Sequence, residues 1–219
     1  MSKKNKDGFE TRAIHAGQKA DPTTGAVMVP IYTSSTFEQE SPGVHKGFDY
    51  SRSANPTRKA FEECIASLEN GEAGFGFSSG VAAISACVEL LTPGDHVIAM
   101  NDLYGGTVRL FNEIKTLSQG IEVTYVDMTD IKNVEAAKTD KTKMIFVETP
   151  TNPLLKVVDL SAIADFAKSA NILSVCDNTF ASPYVQQPLE HGIDIVLHSA
   201  TKYLGGHSVL IAGALVMGN

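Results

Sequence analysis

Residues 193–208 read IDIVLHSATKYLGGHS. The apolar, β-branched run at its start has the composition of a buried strand. Ser199, Thr201, Lys202 and two glycines follow at once. A lysine at the end of a core strand, flanked by hydroxyls and glycines, is either a solvated loop charge or an amine held for chemistry. Which of the two applies depends on what else the chain brings to that end of the sheet.

Working outward, short apolar runs at about 73–77, 96–100, 121–127, 143–148, 172–177 and 193–199 alternate with helical patterns at about 56–69, 80–91, 105–118, 130–138, 159–170 and 184–190. Such alternation predicts right-handed crossovers and a mostly parallel sheet covered on both faces, an α/β fold. Over 159–170, Asp159 or Ser161 can cap the first turn, and Ile163, Phe166 and Ala167 recur on one face. The run VLIAGALVM, 209–217, reads as a last strand. Residues 1–57 are polar and punctuated by Gly and Pro, which predicts an extended arm ahead of a large domain at 58–219.

The 219 residues are 43% hydrophobic and 20% charged, with a formal net charge of −7. This is an ordinary globular composition, and a negative field attracts neither nucleic acid nor an anionic membrane. The basic start MSKKNKDGFETR leads into no apolar segment and no stretch has the length of a membrane span, so a cytoplasmic location is expected. The three cysteines, Cys64, Cys87 and Cys176, lack C-x-x-C or zinc-ligand spacing and are expected to be reduced packing residues. The six histidines show no metal spacing.

The unusual polar residues fall at the carboxyl ends of the expected strands, where open α/β sheets bind ligands. Ser79-Gly80-Val81 lies at a strand-to-helix turn, whose free N–H groups and dipole suit a phosphate, although a glycine is also used there simply for a tight turn. Asp177 ends ILSVCD; buried, it calls for a cationic partner such as a protonated heterocyclic nitrogen, or else it caps the following turn. Asp102 and Tyr104 follow the second strand, and Glu148 and Asn152 the fourth. Tyr50 and Arg52 lie in the arm, where Arg52 is either a surface charge or a clamp for a phosphate in a neighbouring subunit. An amine, an anion seat and a carboxylate suited to a pyridinium are the three elements that hold pyridoxal phosphate.

The segments YSRSANPT (50–57), FSSGVAA (77–83), DLYGGT (102–107), VETPTNP (147–153), DNTFASP (177–183) and HSATKYLGGHS (198–208) together resemble the Cys/Met-metabolism family of pyridoxal-phosphate enzymes. That resemblance implies the large domain of a fold-type-I, aspartate-aminotransferase-like transferase and the cofactor pyridoxal 5′-phosphate. It also implies trans-sulfuration on cystathionine or an activated homoserine, of the cystathionine γ-synthase or γ-lyase type, with β-lyase as the alternative. Lys202 is then the lysine that holds the cofactor, Asp177 the partner of its ring nitrogen and Tyr104 the aromatic stacked on its ring. Ser79, Gly80, Val81, Ser199 and Thr201 resemble the phosphate cup, and Asn152 an asparagine near the phenolic oxygen. Tyr50 and Arg52 resemble residues that complete the phosphate site of an adjacent subunit, which implies a homo-oligomer, commonly a tetramer.

Val81 replaces a usual Met of the family, and Val209 follows GGHS in place of Asp; within the family, Gly106 stands where methionine γ-lyases carry cysteine, which weighs against that activity. Family chains also run on into a small C-terminal domain that grips the substrate carboxylate, so the resemblance implies a chain without that domain, with a non-catalytic fragment as the rival reading. A dinucleotide-binding reading fails on its motif: GFGFSSG has glycines at 74, 76 and 80, whereas G-x-G-x-x-G requires one at 79, where Ser79 stands.

Overall fold

A computed structural model describes residues 7–218. Its centre is a seven-stranded sheet. The strands are β1 (Ala73–Phe77), β2 (His96–Met100), β3 (Glu122–Val126), β4 (Thr142–Glu148), β5 (Leu173–Asp177), β6 (Ile195–His198) and β7 (Gly213–Met217). Their order across the sheet is β1-β7-β6-β5-β4-β2-β3. Pairing is parallel from β6 through β5, β4 and β2 to β3, and antiparallel where β7 meets β1 and β6. The antiparallel strand has a simple cause. No helix intervenes between β6 and β7 to carry the chain back across the sheet, so the chain can only reverse direction.

One helix, α1 (Phe9–His15), lies in the segment expected to be an extended arm; the others flank the strands much as the periodicity predicts: α2 (Pro56–Leu68), α3 (Gly80–Val88), α4 (Gly105–Arg109), α5 (Ile131–Ala137) and α6 (Leu160–Ala170). Pro56 opens α2 at a position where a missing N–H costs nothing, and Asn55 Oδ1 accepts from Thr57 N at 2.9 Å. Asp159 caps α6, accepting from Ala162 N at 3.1 Å, and Asn171 closes it in the left-handed conformation. Ser161 instead lies 3.1 Å from His191 Nδ1.

Two expectations are corrected. The last strand begins at Gly213, and Val209–Ala212 lie outside the sheet, with Val209 and Ile211 exposed. The helix expected over 105–118 continues from α4 as a π-helical stretch, Leu110–Lys115, and ends with Thr116–Gln119. Smaller differences are that α3 stops at Val88 and that 184–190 forms only a helical turn, Ser182–Val185, and a 3-10 turn, Pro188–His191.

The core lies on both faces of the sheet. All of β2, and all of β4 but Lys143, is buried, as strands covered on both sides must be. On β7, Leu215 packs with Ala83 and Ile84 of α3, while Ala214 and Val216 pack with Ile65 and Ala66 of α2. The alternation of side chains along a strand therefore sets α2 and α3 on opposite faces. Within the described part of the segment before α2, α1 docks on α2, with Arg12 Nη1 donating to Asn70 Oδ1 at 2.9 Å, and a small ribbon forms from Gln39–Ser41 and Val44–His45. Among the described residues no helix is long and apolar enough to cross a membrane.

Candidate active site

On one side of the sheet the chain proceeds from β4 to β5 to β6, while β2 and β3 lie on the other side of β4. The crevice beyond the carboxyl ends of β2 and β4 is thus a topological switch point, where the following loops part and leave room for a ligand. Tyr104, following β2, donates its backbone N–H to Glu148 Oε2 at the end of β4, at 3.0 Å. Tyr104 is 44% exposed, and its ring lies over Gly106, where a Cβ would come within 2.3 Å of Tyr104 Cε1. Only glycine at 106 allows that ring position.

Asp177 ends β5 in register with Glu148, so the two carboxyls leave adjacent strands on the same face. Asp177 Oδ1 accepts the Thr179 N–H at 3.0 Å, and Thr179 Oγ1 accepts the Ser199 N–H at 2.7 Å, which ties the Asp177 turn to the one after β6. Burial raises the pKa of Asp177. Burial and the Asp177 charge push Glu148 up to about 8, against the lowering effect of the Tyr104 and Asn152 N–H groups. The Cys87 thiol, from α3, is pushed up to about 12 by burial and by Asp177.

The anion seat is built by close backbone approach. Ser79 Oγ accepts from Ala82 N at 3.1 Å and so caps α3, while the N–H groups of Gly80 and Val81, first in the helix, have no intrahelical acceptor. A Cβ on Gly80 would lie 2.6 Å from Ser199 Cβ, and one on Gly213 would lie 2.1 Å from Ser79 O. The turn opening α3 is therefore clamped between Ser199 and the start of β7. Thr201 is partly engaged elsewhere: its hydroxyl lies 3.2 Å from Ala212 O, to which it donates, and 3.1 Å from Ala212 N, from which it accepts.

Lys202 sits in the turn after β6, its N–H on Ser199 O at 3.1 Å and its carbonyl accepting from Gly206 N at 2.8 Å. The side chain is exposed, and among the described residues its amine has no ion-pair partner. Asn152 lies in a pinned loop: Thr151 Oγ1 and Leu154 N both donate to Asp102 Oδ2, the latter at 3.0 Å, and Lys156 Nζ lies 2.6 Å from Asp127.

Ser79, Gly80, Tyr104, Asp177, Ser199, Thr201 and Lys202 thus gather at one end of the sheet. Tyr50 and Arg52 do not join them by any hydrogen bond or ring contact of their side chains. Arg52 lies over the Tyr50 ring at 5.0 Å, on a segment held by Arg58 Nη1 donating to Ser51 O at 2.8 Å.

Two groups have no role that the sequence assigns. Glu148 is one; its sequence signals are an acid ending the apolar run MIFV and a place in the segment VETPTNP. The other is the buried pair of Glu69, at the end of α2, and His198 Nε2, with Asn178 Nδ2 donating to Glu69 Oε1 at 2.8 Å. It lies behind β6 on the face opposite Asp177, because His198 is in register with Ala214 and Asp177 with Leu197.

The family model for the Cys/Met metabolism PLP-dependent enzymes matches residues 10–219. The cystathionine beta-lyase of Coxiella burnetii is 58% identical over 214 residues, which is 98% of this chain and 55% of that protein. The cystathionine gamma-lyase of Bacillus subtilis is 54% identical over 94% of this chain and 54% of its own length. Among solved structures, cystathionine gamma-lyase from Lactobacillus plantarum complexed with L-serine superposes with a TM-score of 0.94 at 53% identity, over 97% of this chain and 55% of the other. The chain spans about half the length of the curated relatives it matches. A match over nearly all of the chain, by sequence and by fold, places it in the Cys/Met-metabolism family of PLP-dependent enzymes.

Proposed function

We propose that the chain is the cofactor-binding portion of a trans-sulfuration enzyme that acts on cystathionine or an activated homoserine by elimination or replacement at Cγ. The observation that carries the reading is the donor set of one crevice: a helix N-terminus closed to any Cβ and, without an ion-pair partner among the described residues, the buried Asp177 carboxyl and the Lys202 amine. A phosphate, a basic ring nitrogen and a carbaldehyde are the complementary groups, and pyridoxal phosphate carries all three.

The N–H groups of Gly80 and Val81, with Ser79, Ser199 and Thr201, bind the phosphate. Asp177 would keep the ring nitrogen protonated, Tyr104 would provide an aromatic face for the ring and Asn152 a polar group for its phenolic oxygen. When bound, the group supplies an electron sink for the negative charge left at the substrate α-carbon. Lys202 would hold the carbaldehyde carbon, and its Nζ, when free, would take the proton from the substrate Cα and return it. Tyr50 and Arg52 serve the phosphate of a neighbouring subunit in a cytoplasmic homo-oligomer, a tetramer in the whole protein. A second reading, elimination at Cβ, is favoured by the 58% identity to the Coxiella cystathionine beta-lyase.

The test is to load the chain with pyridoxal phosphate, reduce it with borohydride and map the label. Label on Lys202, lost in Lys202→Ala, is expected; label on a different lysine refutes the assignment.

A further inference from the structure

Glu148 has no task in that scheme, yet it is one of the least favourable groups to bury in the molecule. It and Asp177 are 5% and 6% exposed, end adjacent parallel strands in register and share a face. Among the described residues neither carboxyl has an ion-pair partner. Their hydrogen-bond donors are all neutral: the N–H groups of Tyr104, at 3.0 Å, and Asn152 on Glu148, and the N–H, at 3.0 Å, and hydroxyl of Thr179 on Asp177. Neutral donors do not offset the several kcal/mol that desolvating each ion costs, and burial remains the largest influence on both groups. Two carboxyls in one desolvated site also do not both ionise, because like-charge repulsion leaves a proton on the pair.

The surrounding groups decide which partner carries it. Asp102, from the loop after β2, adds a third negative charge on the Glu148 side. Behind β6, His198, bonded to Glu69, favours the charged form of Asp177 through the sheet. Cys87 of α3 and Cys176 of β5 are thiols raised by burial and stay neutral. The asymmetry puts the proton on Glu148.

We propose that Glu148 is a neutral carboxylic acid that shares one proton with Asp177, so that the two buried carboxyls present a single negative charge to the crevice. Glu148 is then a positioning residue: it acts through Asp177 and fixes Tyr104 by its backbone. The inference rests on the cofactor reading for its consequence, one negative charge meeting one cationic ring nitrogen. Its test does not, because the measurement uses the ligand-free chain.

An acid whose folded pKa is raised contributes stability that is present below its unfolded value and is lost as pH rises through the folded value. For Glu148 that window runs from 4.5 to about 8. Urea unfolding of the ligand-free 219-residue chain across this window should show a midpoint that falls with pH relative to that of Glu148→Gln, an isostere of the neutral acid. Parallel profiles overturn the proposal. Asp177→Asn, which removes the repelling charge, should move the fall to lower pH; an unmoved window overturns the shared proton. Infrared difference spectra of the wild-type chain give the answer even where a variant does not fold. A protonated-carboxyl stretch that disappears as pH is raised through about 8 is expected, and its absence at neutral pH overturns the proposal.

Discussion

Replacing Gly80 by Ala tests how tightly the anion seat is built. The new Cβ would lie 2.6 Å from Ser199 Cβ and 2.9 Å from both Ser199 Cα and Oγ, whereas ordinary contact begins at 3.4 Å. Ser199 and the first turn of α3 must separate by the difference, 3.4 − 2.6 = 0.8 Å. Rotating the Ser199 side chain cannot supply this, because Cα and Cβ are themselves too close. Nor is the helix free to retreat, since a Cβ on Gly213 would lie 2.1 Å from Ser79 O on its other side. Overpacking of this kind costs about 1–3 kcal/mol, roughly a 5- to 150-fold rise in the unfolding constant. The same displacement separates Ser199 from the helix N–H groups. Loss of one charge-assisted hydrogen bond to phosphate, about 1.5–3 kcal/mol, should weaken pyridoxal phosphate binding by at least about tenfold. Urea unfolding measures the first effect and titration of cofactor absorbance the second. Gly105→Ala is the control, because no atom beyond its chain neighbours and its own helix backbone lies within 4 Å of its Cβ. A Gly80→Ala chain with the unfolding midpoint and cofactor affinity of its parent would refute the clamped-seat reasoning.

Three further outcomes are expected. In this chain joined to the C-terminal half of a homologue, Asp177→Asn should retain pyridoxal phosphate yet exchange the substrate α-proton with deuterium about 10- to 100-fold more slowly, the loss of one charge-assisted bond to the ring nitrogen. The joined protein should release keto acid from cystathionine much faster than the 219-residue chain, because orienting Cα–H needs a second anchor and positioning contributes roughly 7–11 kcal/mol in favourable cases; equal turnover would contradict this. His96, with ring nitrogens 2.8 and 2.9 Å from Thr142 Oγ1 and Thr124 Oγ1, is held by burial below its usual value of 6.5. The unfolded chain binds a proton that the folded one refuses, so stability should fall as pH drops below 6.5, and less steeply in His96→Asn by urea titration.

The elements of this protein were legible in its sequence because each is written locally. Apolar runs over four to seven residues mark the strands, Asn55-Pro56 and Asp159 mark helix starts, and Ser79, Tyr104, Asp177 and Lys202 each end or follow a strand and so fall at one end of a mostly parallel sheet. Three features depend on residues far apart in the chain and were settled only by the tertiary structure. The direction of β7 follows from a reversal at 199–212 that the apolar run itself does not encode, and the same run overstated the strand by including Val209–Ala212. The pairing of Glu148 with Asp177 follows from strand register, and the Glu69–His198 pair from the packing of α2 behind β6. Periodicity reports which face of an element is apolar; it does not say which strand will be the neighbour. The chemistry of the crevice lies in those neighbours, since a carboxyl becomes a proton carrier here only when burial and a second acid are brought beside it.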